Sequence, residues 1–260
     1  MIKITDIDDD RIKLYKTLRK TPASHIERSV FVAEGDKAVH KLLESKLDII
    51  SFFALEKYYD HYHDLITERV PADKRFTAVK EKMDKIVGFR LHKGIMAIAN
   101  QPDDTPVESM SSPVIILNGI VNSENVGAIV RNCVAFGINS LIVDNKTSSP
   151  YLRRAVRVSM GAIFFLDVRH SKNIIPDINF LKNNDFSMIA AENSQRSIPI
   201  EQFDYPEKFA LIFGSEGKGI DNEILDLSGL TLSIPINKKI PSINVAAASS
   251  IFFHKMGINK

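Results

Sequence analysis

The 260 residues include a single cysteine, Cys133. One thiol cannot close an internal disulfide, and it cannot supply the cysteine-rich zinc patterns, so no metal site is expected. The absence of cross-links suits a reducing compartment. Cys133 lies in the run RNCVAF, an apolar helical pattern in which a packed thiol is the expected role. No apolar run approaches the roughly 18 to 20 residues of a membrane span. The opening MIKITDIDDDRIK holds no apolar stretch of the kind a secretory signal needs. A cytoplasmic protein that does not enter a membrane is therefore expected. Charge of one sign is also scarce, since the net charge is only +2. Three nucleotide and hydrolase signatures are missing as well: the Gly-Lys-Ser/Thr close of a phosphate loop, the G-x-G-x-x-G fingerprint, and G-x-S-x-G around Ser215.

What is present is the composition of an ordinary globular protein, with 44% apolar and 25% charged residues. The length is comfortable for two domains with separate cores. Residues 101–113, QPDDTPVESMSSP, carry three prolines and no apolar periodicity, so they read as a linker. A domain over 1–100 precedes it and a domain over 114–260 follows. In the first, residues 30–33, 49–54 and 94–99 read as strands, with helices over 37–44 and 56–68. In the second, the strand-like runs VIILN, SLIVD, FFLDV, SMIAA, FALIF and LTLSI alternate with helical patterns over 126–136, 152–160, 175–183, 219–227 and 244–256. That alternation predicts an α/β fold with a mostly parallel sheet covered by helices. Although the net charge is small, basic residues cluster at Arg11–Lys20, between Arg69 and Lys93, and at Lys146 with Arg153, Arg154 and Arg157. Such patches suit phosphate contacts, or else form solvated helix faces.

In a parallel sheet ligands bind beyond the carboxyl ends of the strands, and three strand-end loops carry polar or glycine-rich patterns. After the run at 114–117 comes NGIVNSENVGAIVRNC. Asn125 is placed to cap a helix, and Arg131 shares a face with Gly127 four residues earlier. Because long helical side chains lean toward the N-terminus, Arg131 is expected to reach back toward Asn125. After 209–213 comes GSEGKG, three glycines around Glu216. After 230–234 comes PINKKIPSINVAAASS, a loop opening an alanine-rich helix near Asn244.

Together these segments resemble the three signature motifs of the SpoU (TrmH) branch of the knotted SPOUT methyltransferases. Asn125, Gly127 and Arg131 match N-x-G-x-x-x-R. Gly214, Glu216, Gly217 and Gly219 match G-x-E-G-x-G, and Ile234, Pro235, Ser242, Ile243, Asn244 and Val245 match the I-P…S-L-N-V motif. RRAVRVSMGAIF resembles the family's intervening segment, and RSVFVAEGDKAV, with its Phe-x-x-Glu-Gly core, resembles the family's N-terminal substrate-binding domain. The sequence departs from the pattern at Asn122–Ser123 in place of Asp-Pro, and at Ile236, Lys238 and Ile243.

The resemblance implies a C-terminal trefoil knot, a rare exception to unthreaded chains. It also implies S-adenosylmethionine held by backbone groups at Gly214, Ile234 and Ile243, methylation of a ribose 2′-hydroxyl in ribosomal or transfer RNA, and a homodimer. It puts Arg131 at the acceptor hydroxyl, with Asn125, Glu216, Ser242 and Asn244 orienting it and the loops. Guanidinium groups are poor bases at neutral pH, so the role expected of the arginine is phosphate binding and stabilisation of a developing alkoxide. Three other readings remain open: a non-catalytic RNA-binding or assembly protein on the same fold, a methyltransferase acting on a base, and an α/β hydrolase. The missing motifs argue against the last.

Overall fold

The computed structural model describes residues 1–194, 196–237 and 239–257. Lys238, one of the departures noted above, lies outside them. Two units are present, and the chain passes between them more than once. The first is Met1–Pro102 together with Tyr151–Phe164; the second is Asp103–Pro150 with Phe165–Lys260.

In the first unit, β1 (Ile2–Lys3), β2 (Val30–Glu34), β3 (Ile49–Ala54), β4 (Arg75–Thr77) and β5 (Ile95–Asn100) form one sheet in the order β1-β4-β3-β5-β2. β5 runs antiparallel to both its neighbours, while β1, β4 and β3 pair in parallel. Helices α1 (Ala23–Glu27), α2 (Asp36–Glu44), α3 (Lys57–His61), α4 (His63–Arg69) and α5 (Lys80–Val87) complete it. The core gathers Tyr15, Phe53, Phe76, Met83, Met96 and Ile98. The helix expected over 56–68 is broken at Tyr62, whose φ of −115° and ψ of 29° leave the helical region. Tyr62 instead donates its hydroxyl to Asp36 Oδ1 at 2.8 Å and stacks on His40.

The second unit is built on β6 (Val114–Asn118), α6 (Ser123–Ala135), β7 (Ser140–Val143), β8 (Asp167–His170), α8 (Ile174–Asn183), β9 (Ser187–Ala191), β10 (Ile198–Pro199), β11 (Phe209–Gly214), α9 (Asn222–Leu227), β12 (Leu230–Ser233) and α10 (Val245–Met256); α7 (Arg153–Val158) falls between β7 and β8 in the chain. Its seven strands lie in the order β10-β12-β9-β11-β6-β7-β8, and every pair is parallel. Central strands β6 and β11 are buried along nearly their whole length, as parallel strands covered on both faces must be. All the parallel strands end on one edge of the sheet.

Two larger features also differ from the sequence reading. Residues 101–113 are no free linker: Val107 and Met110, three apart on a 3-10 turn, are buried in the second unit's core with Val114, Ile116 and Ile178. The segment Tyr151–Phe164, expected within the second domain, packs with the first. Phe31 meets the rings of Tyr151 and Phe164 at 5.4 Å each. Glu34, only 4% exposed, is paired with Arg153, which also donates to Leu18 O at 3.2 Å and covers the Phe89 ring. The Phe-x-x-Glu-Gly core is thus the seat of this segment. With Phe164 drawn to Phe31, the run FFLDV cannot all be strand, and β8 begins only at Asp167.

Candidate active site

Three strand-end loops of the second unit meet at the carboxyl edge of the sheet. After β6, Asn122 caps α6 by accepting the Glu124 N–H at 2.9 Å. Asn125 is therefore not the cap, contrary to the sequence reading. It is the third residue of the helix and is 8% exposed, and its side-chain amide donates to Glu216 Oε1 in the glycine-rich loop after β11. Asn244 donates to the same Glu216 oxygen at 2.9 Å and to Asn125 Oδ1 at 3.1 Å. Its own Oδ1 accepts the N–H groups of Ala246 and Ala247, which makes it the N-cap of α10. One triangle of side chains, Asn125–Glu216–Asn244, therefore ties together loops from three distant parts of the chain.

The glycine-rich loop closes tightly. Ser215 and Gly219 exchange backbone hydrogen bonds at 3.0 and 2.9 Å. A Cβ on Gly214 would lie 2.3 Å from the Gly219 carbonyl carbon, so only glycine fits there. On one side of this loop lies a cavity of about 370 Å³, within the range of roughly 300 to 1,000 Å³ common for small-molecule sites. Gly214, Glu216, Ile234, Ser242 and Ile243 all line it, with Leu232, Ile236, Val245 and Phe252 supplying apolar wall. On the other side lies a cavity of about 430 Å³ lined by Asn118, Asn122, Asn125, Lys146 and Asp221, and residues 215–219 form a wall of both.

The second cavity is organised by buried Asp144 after β7. Its carboxylate accepts from Asn118 at 2.8 Å, from Thr147 Oγ1 at 2.6 Å, and from the backbone of Gly119 and Thr147. Asn118 in turn bridges to Asp221 before α9, accepting its N–H at 2.8 Å. Lys146, 2.7 Å from Asp221, together with Asn118 holds the Asp221 carboxyl below the usual carboxylate range.

The structure thus brings together seven of the eight site residues read from the sequence. The eighth, Arg131, is exposed on α6 and lines neither cavity. Asn132 beside it points to α10, donating to Ala246 O and the hydroxyls of Ser249 and Ser250. Cys133 is fully buried, and burial pushes its thiol up, away from reactivity. Among the described residues no cluster could hold a metal, and no helix is long and apolar enough to cross a membrane. Glu192 and Asn193, just past β9, line the first cavity and were missed, as were Asn118 and Asp221. Their signal was position: each adjoins the carboxyl end of a strand or the glycine-rich loop.

Several basic residues prove to be engaged. Lys16 pairs with Asp8, Arg11 with Asp9 and Lys80 with Asp84, while Arg69 and Arg75 donate to backbone carbonyls. Asp8 and Asp9 sit just outside the acid-free window Arg11–Lys20, whereas Asp84 lies within the second basic stretch.

An all-parallel sheet whose strand-end loops enclose an apolar-walled cavity with a few convergent polar groups defines a small-ligand-binding α/β protein. Residues 112–254 match the model of the SpoU rRNA Methylase family, and the chain belongs to that family. It is similar over nearly its whole length to an uncharacterised tRNA/rRNA methyltransferase of Mycobacterium tuberculosis, with 25% identity over 97% of this chain and 90% of the relative. It is also similar to the 23S rRNA (guanosine(2553)-2′-O)-methyltransferase RlmP of Bacillus subtilis, 21% identical over 98% of this chain and 99% of that protein. In fold it resembles the AdoMet-bound rRNA methyltransferase of Sinorhizobium meliloti, with a TM-score of 0.83 and 19% identity over 98% and 96% of the two chains.

Proposed function

We propose that this protein transfers a methyl group from S-adenosylmethionine to a ribose 2′-hydroxyl of RNA, ribosomal RNA in preference to transfer RNA, in the cytoplasm. The observation that carries the reading is the Asn125–Glu216–Asn244 triangle at the wall between two cavities. The 23S rRNA 2′-O-methyltransferase activity of the Bacillus subtilis relative, which this chain matches over 98% of its length, supports the ribose and the ribosomal substrate.

The residues present fit the cofactor. The first cavity offers apolar walls for an adenine and lining residues Gly214, Ile234 and Ile243 whose backbone groups would read its edge, with carboxylates at Glu192 and Glu216 beside a cationic ligand. When bound, the cofactor supplies an electrophilic methyl group on a sulfonium centre. The chain's own contribution is positioning, which by itself can lower a barrier by several kcal/mol (about 7 to 11 at best). Glu216 holds Asn125 and Asn244 so that the two cavities keep a common wall, and Ser242 borders the first of them. The second cavity, with Lys146 and Asn122 at its rim, receives the acceptor nucleotide. Arg131 holds the neighbouring phosphate and stabilises the alkoxide as it develops.

Because Arg131 is exposed and outside its own chain's cavities, a homodimer would let Arg131 of one chain serve the site of the other. The same reading includes a threaded C-terminal segment and an RNA-binding role for the first unit. Arg131→Ala should abolish methyl transfer while cofactor affinity, measured by calorimetry, stays within a few-fold. Turnover near the wild-type rate would overturn the role. Mapping ribose methylation in RNA from a deletion strain would identify the nucleotide, and an unchanged map would count against the function.

A further inference from the structure

Glu192 belongs to none of the three motifs, yet it follows β9 directly and lines the cofactor-sized cavity. Its position is fixed from two sides. Its backbone N–H donates to Leu232 O at 3.1 Å, and its Oε2 accepts the Ile220 N–H at 3.1 Å. The carboxylate lies so close to Gly219 that a Cβ there would come within 2.6 Å of it. Among the described residues Oε1 accepts no hydrogen bond, so one whole oxygen of the carboxylate is unassigned.

Among the described residues only three charged side chains line this cavity: Glu192, Glu216 and Lys218. The formal charge of the described lining is therefore −1. Glu216 accepts from both asparagines of the triangle at its Oε1, two side-chain hydrogen bonds where Glu192 has none among the described residues. Glu192 is held by a single backbone donor and is partly buried beside apolar wall, where charge is screened less than in bulk water.

We propose that Glu192 makes this cavity discriminate by charge, favouring S-adenosylmethionine over S-adenosylhomocysteine. The proposal rests on the reading of the cavity as the cofactor site. The two ligands share adenosine and amino-acid portions. They differ in that the donor's sulfur is a cation with three carbon substituents, whereas the product's is a neutral thioether. Methyl transfer forms the ribose O–CH3 bond as the sulfur–methyl bond breaks, leaves that bond's electron pair on sulfur and releases the hydroxyl proton to water, so the ligand loses one positive charge while it is held beside Glu192. The attraction that favours the donor ends at the moment the product forms, which promotes exchange of spent for fresh cofactor.

The test is calorimetric titration of the full-length wild-type protein and Glu192→Gln with each of the two ligands. Glutamine keeps an acceptor for the Ile220 N–H and the side-chain shape, removes the charge, and turns the other oxygen into an NH2 donor. The variant should bind S-adenosylmethionine roughly tenfold more weakly and S-adenosylhomocysteine within about twofold of wild type. Equal losses for both ligands would mean that the carboxylate contacts a part they share, and would overturn the proposal. No change for either would reduce Glu192 to a support for the Gly219–Ile220 turn and overturn it as well. If the variant unfolds, the wild type decides: added salt should weaken the donor more than the product, and equal weakening would refute the idea. Wild-type protein that binds neither ligand would refute the cofactor reading itself, a result distinct from the others.

Discussion

At the residue scale, Asn244 has two tasks that can be separated. Its Oδ1 caps α10, and its amide group bridges Glu216 and Asn125. Asn244→Ala should lose both, lowering stability by about 1 kcal/mol and reducing turnover at least tenfold. Asn244→Asp keeps a good cap but sets a carboxylate against Glu216. Its melting temperature should stay near wild type while turnover falls as far as in the alanine variant. Thermal melts and a methyl-transfer assay distinguish these outcomes; equal activity in Asn244→Asp and wild type would remove the bridge from the mechanism. The triangle's members were legible in the sequence because they fall in motifs. The capping role of Asn125 was misread because Asn122 is an equally good cap and only the fold decides between them.

A second residue-scale expectation concerns pH. His25 is 3% exposed, with its Nε2 2.7 Å from Leu14 O. The carbonyl can only accept, so the ring donates from Nε2. Burial holds the imidazole below its ordinary value of 6.5. The unfolded chain therefore takes up the proton more readily than the folded one. Stability from this group is complete above pH 6.5 and is lost as the pH falls below it toward the depressed folded value. Melting temperatures between neutral and mildly acidic pH should fall more steeply in wild type than in His25→Gln. Parallel curves would show that His25 titrates alike in both states.

At the scale of elements, the glycine-rich turn after β11 separates two glycines that look equivalent in the sequence. A Cβ at Gly214 would strike the backbone of Gly219 and Ile220 at 2.3 and 2.4 Å, whereas one at Gly217 meets nothing within 4 Å. Gly214→Ala should destabilise the protein by about 1 to 3 kcal/mol through overpacking and abolish cofactor binding. Gly217→Ala should fold and bind as wild type. Denaturant melts with ligand titration check both, and a tolerated alanine at Gly214 would disprove the closure argument. Long strands such as β6 and β11 were readable because both faces are buried and the runs are continuously apolar. β1, β4 and β10, two or three residues each, are too short to show a period and depend on their neighbours. The start of β8 was misplaced because Phe164 is recruited by Phe31 from far away in the chain.

At the scale of the whole molecule, the proposed homodimer makes a quantitative prediction. Arg131→Ala and Asn244→Ala chains should each be inactive alone. Co-expressed, half of the dimers are mixed, and each mixed dimer has one site with an intact Asn244 and an intact Arg131 from the other chain. Activity should return to about a quarter of wild type if the arginine serves the opposite subunit, as measured on the purified mixture. No recovery would place Arg131 in its own chain's site. Nothing in the sequence could decide this, because helix phase places Arg131 on a face without saying which molecule that face serves.

The seat of Tyr151–Phe164 on Phe31 and Glu34 carries a consequence for anyone wishing to dissect this enzyme. Scissors applied at residue 102 would not release two self-sufficient halves. The remainder would keep a stretch with Tyr151, Ala155 and Val156 stripped of its shelter and Arg153 without its counter-ion. Lost RNA affinity in such a fragment would report damage as readily as a missing recognition surface. The first unit is better interrogated by single replacements on its outside than by amputation, and natural shuffling of these two parts as interchangeable cassettes would meet the same obstacle.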